Sequence, residues 1–205
     1  MGMGRPREFD AETALDQAME VFWRHGYEGA TIAQLTEAMG INPPSLYACF
    51  GNKEGLLKAA LDRYTKLRNV WMAGVVSAPT ARDVAERMLM GIADKQTDPA
   101  NPPGCLLVQG GLACGSGSAN VPFELAARRA QTEEQLRHRF ERAKAEGDLA
   151  EAADPAALAR YVSAVITGMS VMASSGADRE ALAQVAEVAI RSVEEQSVRA
   201  PIAAN

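Results

Sequence analysis

Apolar residues recur at three- and four-residue steps along most of this chain, the repeat of helices with one buried face. Leu15, Ala18, Met19 and Phe22 follow the i, i+3, i+4, i+7 spacing of a first helix, which Asp10 is placed to cap and Gly26 to stop. Ile32, Leu35 and Met39 form the stripe of a second helix, opened by Thr31 and Gln34 at capping-box spacing and ended by Gly40. Asn42 caps a third, with Pro43 and Pro44 in its first turn, where a missing N–H costs little, and Leu46 and Phe50 inward. Gly51 breaks it, and Asn52 starts a long fourth helix through Leu56, Leu61, Tyr64, Leu67 and Trp71. Further helices are expected over about 80–94, 104–113, 121–146, 155–174 and 178–195, separated by the Pro/Asn/Asp-rich 97–103 and the Gly/Ser-rich 115–119. No strand alternation is convincing. The pattern predicts an all-α chain of about nine helices: a head over 1–55, a bundle over 56–196 and a loose tail over 197–205, with the fourth helix joining head and bundle.

Composition narrows the class. With 205 residues, 47% hydrophobic and 23% charged, the chain can bury an ordinary globular core. No apolar run is read as approaching the ~20 residues of a membrane span, and the N-terminus lacks a secretory apolar stretch. Pro6 stands where a myristoylation signal needs Ser or Thr, so a cytoplasmic protein is expected. Three cysteines make no disulfide framework: Cys105 and Cys114, placed on one helix, would lie roughly 13.5 Å apart along its axis, beyond the about 7 Å reach of a disulfide. With His25 and His138 as the sole histidines, a His/Cys metal site has little support, and no cofactor is expected.

The segment 31–53, TIAQLTEAMGINPPSLYACFGNK, carries the most specific chemistry. Two short helices around a Gly turn form the grammar of a helix-turn-helix, which lays its second helix in the DNA major groove. Asn42, Pro43, Ser45, Tyr47 and Ala48 occupy the first turn and outward positions of that helix. Ser45 can donate to a phosphate, and Tyr47 offers a flat body and a hydroxyl to a phosphate or thymine methyl. The plainer alternative makes Tyr47 a half-buried packing residue. Lys53 opens the fourth helix, where a cation opposes the helix dipole unless a phosphate sits at the same end. Thr31 can serve a second phosphate or act as a plain cap. Arg5 and Arg7 could reach a minor groove or belong to a solvated arm. Cys49, inside this helix, is expected to face inward or skirt the DNA backbone. Through residue 68 there are eight Lys/Arg against nine Asp/Glu, and the whole chain carries −5, so the head lacks the usual basic footprint. Modest affinity per subunit, raised by dimerisation, follows.

Residues 9–60 resemble the N-terminal domain of the TetR family of transcriptional repressors. The matching stretches are FWRHGYEGAT and LTEAMGINPPSLYACFGNKEGLL. The resemblance implies a homodimer on a palindromic operator, with Thr31, Ser45, Tyr47 and Lys53 at phosphate-contacting positions. Thr36 stands where a small Ala is common, and its methyl could crowd the helix crossing. Pro43 stands where many relatives carry a basic or polar residue, which removes one potential contact.

The same resemblance implies an effector pocket in the bundle and a dimer interface on the last two long helices. The interface is expected to use Tyr161, Val165 and Met172 with Val185, Val188 and Ala189, although part of each stripe must be intrachain core. The pocket is expected among Trp71, Met88, Cys105, Leu107, Phe123 and Met169, a Met-rich apolar set suited to hydrophobic ligands. Scattered Met and aromatic residues are as readily simple core. Cys105 follows Pro103-Gly104 at a helix start, where the dipole favours thiolate. Its Gly-Cys-Leu-Leu context resembles a branch of the family that senses electrophiles and oxidants, and a buried packing thiol is the alternative. The sequence therefore reads as a non-enzymatic, ligand- or redox-responsive repressor that binds double-stranded operator DNA as a homodimer and is released by a small hydrophobic or electrophilic effector. The alternatives are a helical ligand-binding or adaptor protein without DNA binding, and a thiol-dependent enzyme using Cys105, for which no Cys/His arrangement supplies a base.

Overall fold

Six of the helix starts are set by a short polar side chain that accepts an otherwise orphaned N–H. The computed structural model describes residues 11–112 and 120–198. They form α1 (Ala11–Gly29), α2 (Ile32–Met39), α3 (Pro43–Phe50), α4 (Lys53–Val76), α5 (Ala81–Gln96), α6 (Leu106–Leu112), α7 (Val121–Ala145), α8 (Pro155–Ser174) and α9 (Arg179–Glu194). Thr31 and Gln34 make the expected capping box, and Asn42 and Asn52 accept from the N–H groups of Ser45 and Gly55 at 2.8 and 2.7 Å. Thr80, Asp154 and Asp178 cap α5, α8 and α9 in the same way. Asp10, Arg5, Arg7 and Cys114 lie outside the described residues.

Gly26 (φ 67°, ψ 178°) interrupts the helical path as expected, and one further turn follows it through Gly29. Two boundaries differ from expectation. α6 has seven residues and begins after Cys105. The segment expected to be loose from residue 197 starts ordered: Val198 donates to the Asp148 carbonyl (2.9 Å) and Ala150 to that of Gln196 (2.8 Å), leaving one isolated β-bridge, Leu149 to Ser197.

Two apolar cores result. The bundle core unites Met72 and Val75 of α4 with Leu89 of α5, Phe140 of α7, Val162 of α8 and Leu182 of α9, all buried. The head core is built on Phe22, Leu35, Leu46 and Leu56, and runs past residue 55 through Ala60 and Leu61. It also takes in Cys105, Leu106, Leu107 and Val108 at the start of α6, and Val121 and Leu125 of α7. The head is thus seated on α6.

Three arginines fasten α4 to its neighbours. Arg63 grips Asp16 of α1 with two bonds (2.9 and 3.0 Å) and reaches Glu12, a bidentate geometry that fixes direction as well as distance. Arg128 of α7 joins Asp62 (2.5 Å) and Thr65 (2.9 Å) of α4 to Glu124. Arg139 of α7 holds the turn that follows α4 through the carbonyls of Ala78 and Pro79.

The expectation that no apolar run nears membrane-spanning length is corrected by α8. It has 20 residues and a mean hydropathy of 1.4, long and apolar enough by length and composition. It is placed as a bundle helix: Leu158, Ala159, Val162, Ile166, Met169 and Ala173 are buried inside the chain. Only 39% of its apolar window is buried there, and the remainder forms a face described below.

Phe140 is fully buried at the centre of the bundle. Phe140→Ala should cost about 3–5 kcal/mol of unfolding free energy, seen as a lower urea midpoint with an unchanged slope. A loss below about 1 kcal/mol would contradict this placement of the core.

Candidate nucleic-acid interface and bundle cavity

Leu35 and Met39 of α2 and Leu46 of α3 bury their side chains in the head, so the opposite side of α3 faces out. Asn42, Pro43, Tyr47 and Ala48 are exposed and Ser45 is partly so. Tyr47 is 48% exposed, which places its ring on the surface and not in the packing seam. Cys49 is also exposed, the outward of its two expected placements, because the seam of α3 is Leu46 with Phe50 one turn on. Thr36 fits its crossing: buried, it donates its hydroxyl to the Ile32 carbonyl at 2.8 Å. Thr31 is exposed and engaged as a cap, its hydroxyl and N–H both 2.9 Å from Gln34 Oε1, so a phosphate there would displace that oxygen.

Lys53 is held by a partner that sequence reasoning did not pair with it. Its ammonium lies 4.5 Å from the centroid of the Tyr27 ring, which in turn stacks on Phe22, and 3.4 Å from the Glu28 carbonyl. Burial lowers its pKa, and Glu28 opposes that shift. The bend at Gly26 brings Tyr27 to this position. The signal was the Gly-Tyr pair beside a helix-opening Lys, legible only once α1 and α4 are adjacent.

α3 and α4 meet across a glycine. A Cβ on Gly55 would stand 2.0 Å from the carbonyl oxygen of Phe50, the last residue of α3. No side chain fits there, so Gly55 sets the approach of α3 to α4.

Between head and bundle lies a cavity of about 210 Å³. α1 contributes Met19 and Trp23, α4 Tyr64 and Trp71, and the segment before α6 Cys105. Arg68, Lys95 and Gln96 supply polar wall. Trp23 and Tyr64 meet edge to face, centroids 5.4 Å apart. Trp71 lies against Gly91, where a Cβ would come within 2.8 Å of the indole, and Lys95 sits 5.4 Å from its ring centroid. A larger hollow of about 720 Å³ over Arg128, between α4 and α7, is a shallow solvated groove.

Of the residues expected in a pocket, Trp71 and Cys105 line this cavity. Met88 and Met169 are fully buried in the bundle core and Leu107 in the head core, so all three are packing. Phe123 is 77% exposed: Val121 and Leu125 take the inward positions of α7, and a residue two along from Val121 points to the opposite side of the helix. Cys105 stands at the start of α6 as expected, its carbonyl accepting the first helical bond from the Gln109 N–H at 2.9 Å. The thiol is 8% exposed and 3.5 Å from the Tyr64 hydroxyl. Burial, and after it the nearby thiol, pushes the Tyr64 phenol well up, so the hydroxyl stays neutral.

On α8 and α9, Tyr161 (37%), Val171 (40%) and Val188 (55%) are exposed apolar residues, and Val165, Met172 and Val185 are half-buried beside them. Gly168 lies on this face with open space where a Cβ would be. Ala189, expected here, is 1% exposed and belongs to the bundle core, facing inward with Ala186 and Ile190.

Comparison with known proteins agrees with this architecture. Residues 14–60 match the family model described as bacterial regulatory proteins, tetR family, and residues 84–189 one described as tetracyclin repressor-like, C-terminal domain. The chain is 34% identical over 190 residues to the HTH-type transcriptional repressor ComR of Escherichia coli, covering 92% of this chain and 90% of ComR. Among solved structures, a cysteine mutant of the TetR family transcriptional regulator CifR, complexed with 26-base-pair operator DNA, is 43% identical with a TM-score of 0.88, covering 91% of this chain and 98% of that one. A putative TetR regulator from Rhodococcus sp. RHA1 is 45% identical, with a TM-score of 0.60 and coverages of 88% and 97%.

Gly55→Ala should weaken DNA binding without removing any candidate contact, because Phe50 and the end of α3 must shift. An affinity loss of about ten-fold or more, with the helical circular dichroism retained, is the expected outcome of a mobility-shift titration. Unchanged affinity would show that the α3–α4 approach does not set the reading geometry.

Proposed function

The chain belongs to the tetR family of bacterial regulatory proteins, and on that premise we propose that it is a homodimeric repressor of a palindromic DNA operator, released by an effector in the bundle. The observation that carries the reading is the outward side of α3, with Tyr47 exposed beside a Lys53 ammonium fixed on the Tyr27 ring. Ser45, Tyr47 and Lys53 then meet phosphates or base edges, and Asn42, Pro43 and Ala48 line the groove side. Lys53 is oriented before DNA arrives, so little side-chain entropy is lost on contact. The operator complex of CifR supports the same use of this fold. A repressor of this type works in the cytoplasm, where its DNA lies.

Dimerisation uses the exposed apolar face of α8 and α9, with Tyr161, Val165, Met172, Val185 and Val188 packing around a two-fold axis near Gly168. Two heads are needed because one is nearly neutral and makes few phosphate contacts. Palindromic half-sites place the heads about 34–36 Å apart, so a small rotation of each head is enough to lose one half-site.

Release follows from shared walls. Trp23 and Tyr64 belong to the cavity and also pack with the head core, and Cys105 does both. An effector that spreads this wall moves α1 and α4 relative to the bundle and carries α3 with them. The redox form of the reading rests on the Cys105 thiol in that wall: an electrophile bonded to sulfur would occupy the cavity permanently. In protein with Cys49 and Cys114 changed to Ser, alkylation of Cys105 should release operator DNA, and Cys105→Ser should abolish that response.

Two substitutions test the interface. Tyr47→Ala and Lys53→Ala should each weaken operator binding in a mobility-shift assay, by roughly 1–3 kcal/mol. Lys53→Ala should also reduce the slope of log affinity against log salt by about 1. Wild-type affinity in both variants would remove the assigned site.

A further inference from the structure

The cavity wall is polar in a particular way. Among the described residues Arg68 and Lys95 both contribute to it, and no Asp or Glu does. Arg68 acts on the site, opposing the upward shift of the Tyr64 phenol. Two wall residues carry buried polar atoms with no hydrogen-bond partner: the indole nitrogen of Trp23 and the side-chain carbonyl oxygen of Gln96. Gln96 is 3% exposed and its orientation is fixed, because its amide nitrogen donates to Ser170 Oγ (2.6 Å) and Ser170 donates on to the Ile166 carbonyl (2.8 Å). Orphaned polar atoms are costly in a filled protein interior, and a guest that parts this wall gains by satisfying them.

The rest of the wall is flat. Trp23, Tyr64 and Trp71 present three aromatic rings, with Trp71 kept in place by the absence of a side chain at Gly91. The volume of about 210 Å³ falls below the about 300 Å³ at which drug-sized pockets begin. A long acyl chain does not fit such a space, and a cationic guest would meet two like charges.

We propose that this cavity binds a small aromatic carboxylate, its ring between the Trp and Tyr side chains and its anion toward Arg68 and Lys95. The inference rests on the reading of the cavity as the effector site and adds the chemical class of the effector. A carboxylate accepts from the Arg68 and Lys95 cations, and charge-assisted bonds in a half-buried site discriminate strongly against a neutral isostere. A ring hydroxyl or amino group would further satisfy Gln96.

Intrinsic fluorescence reports directly on this site, because the two tryptophans of the chain, Trp23 and Trp71, are both in its wall. The test titrates full-length protein with benzoate, benzamide and benzylamine, confirmed by calorimetry. Benzoate should change the emission saturably. Benzamide and benzylamine should bind at least about ten-fold more weakly. In Arg68→Gln/Lys95→Gln protein, the preference for benzoate over benzamide should fall to within about three-fold, with the melting temperature showing that the variant is folded. Equal binding of benzamide, preference for benzylamine, or no saturable response to benzoate would overturn the proposal. A parallel mobility-shift assay separates the two readings: benzoate that binds with the expected preference yet leaves operator binding unchanged upholds the ligand class and removes the cavity as effector site.

Discussion

The packing of α6 into the head core is the constraint on which the rest of this molecule depends. Leu106 and Leu107 are buried with Phe22, Leu35 and Leu56. A DNA-binding head of one longer and two eight-residue helices has little apolar surface of its own, and eight-residue helices are marginal without tertiary contacts. Seating the head on α6 supplies that surface. It also means that the head cannot be described apart from the segment that precedes α6, which forms one wall of the cavity.

Close-packed walls do not deform continuously, so in the proposed mechanism a guest in the cavity acts on the head through discrete shifts of α1 and α4. The ties that limit those shifts are polar and directional. Arg63 holds α4 to α1, and Arg128 holds α4 to α7. The first pair lies within the head and moves with it; the second crosses from the fourth helix to the bundle and has to strain or exchange partners if α4 pivots. At the other end, Gly55 and the Asn52 cap transmit the position of α4 to α3 by direct contact. Proposed sensing and proposed reading are therefore linked by one helix with a defined contact at each end.

Much of the fold was legible in the sequence because helix starts are local. Thr31, Asn42 and Asn52 each act on backbone N–H groups within three residues, so spacing alone reveals them. The outward residues of α3 were legible for the same reason, since Leu46 and Phe50 fix the face. What the sequence could not place were groups brought together by tertiary packing. Tyr27 meets Lys53 across 26 positions, and Trp23, Tyr64 and Gln96 reach one cavity from three helices. Apolarity misled twice: Phe123 is exposed because the inward register of α7 belongs to Val121 and Leu125, and Ala189 is core because small residues on α9 face its bundle neighbours. Methionine content, taken as a mark of a binding surface, marked packing at Met88 and Met169.

The central claim is that the state of the cavity wall sets the spacing of the two heads in the dimer. Cys49, exposed on α3, offers a native position for a spin label once Cys105 and Cys114 are replaced by Ser. The most direct measurement is the distance between the two Cys49 labels, in free and operator-bound dimer, with and without Gly91→Phe. That substitution must drive Trp71 from its place, because even a Cβ would stand 2.8 Å from the indole. The account predicts that Gly91→Phe moves the label separation by several ångströms away from its operator-bound value. A folded Gly91→Phe dimer with an unchanged distance distribution would contradict it.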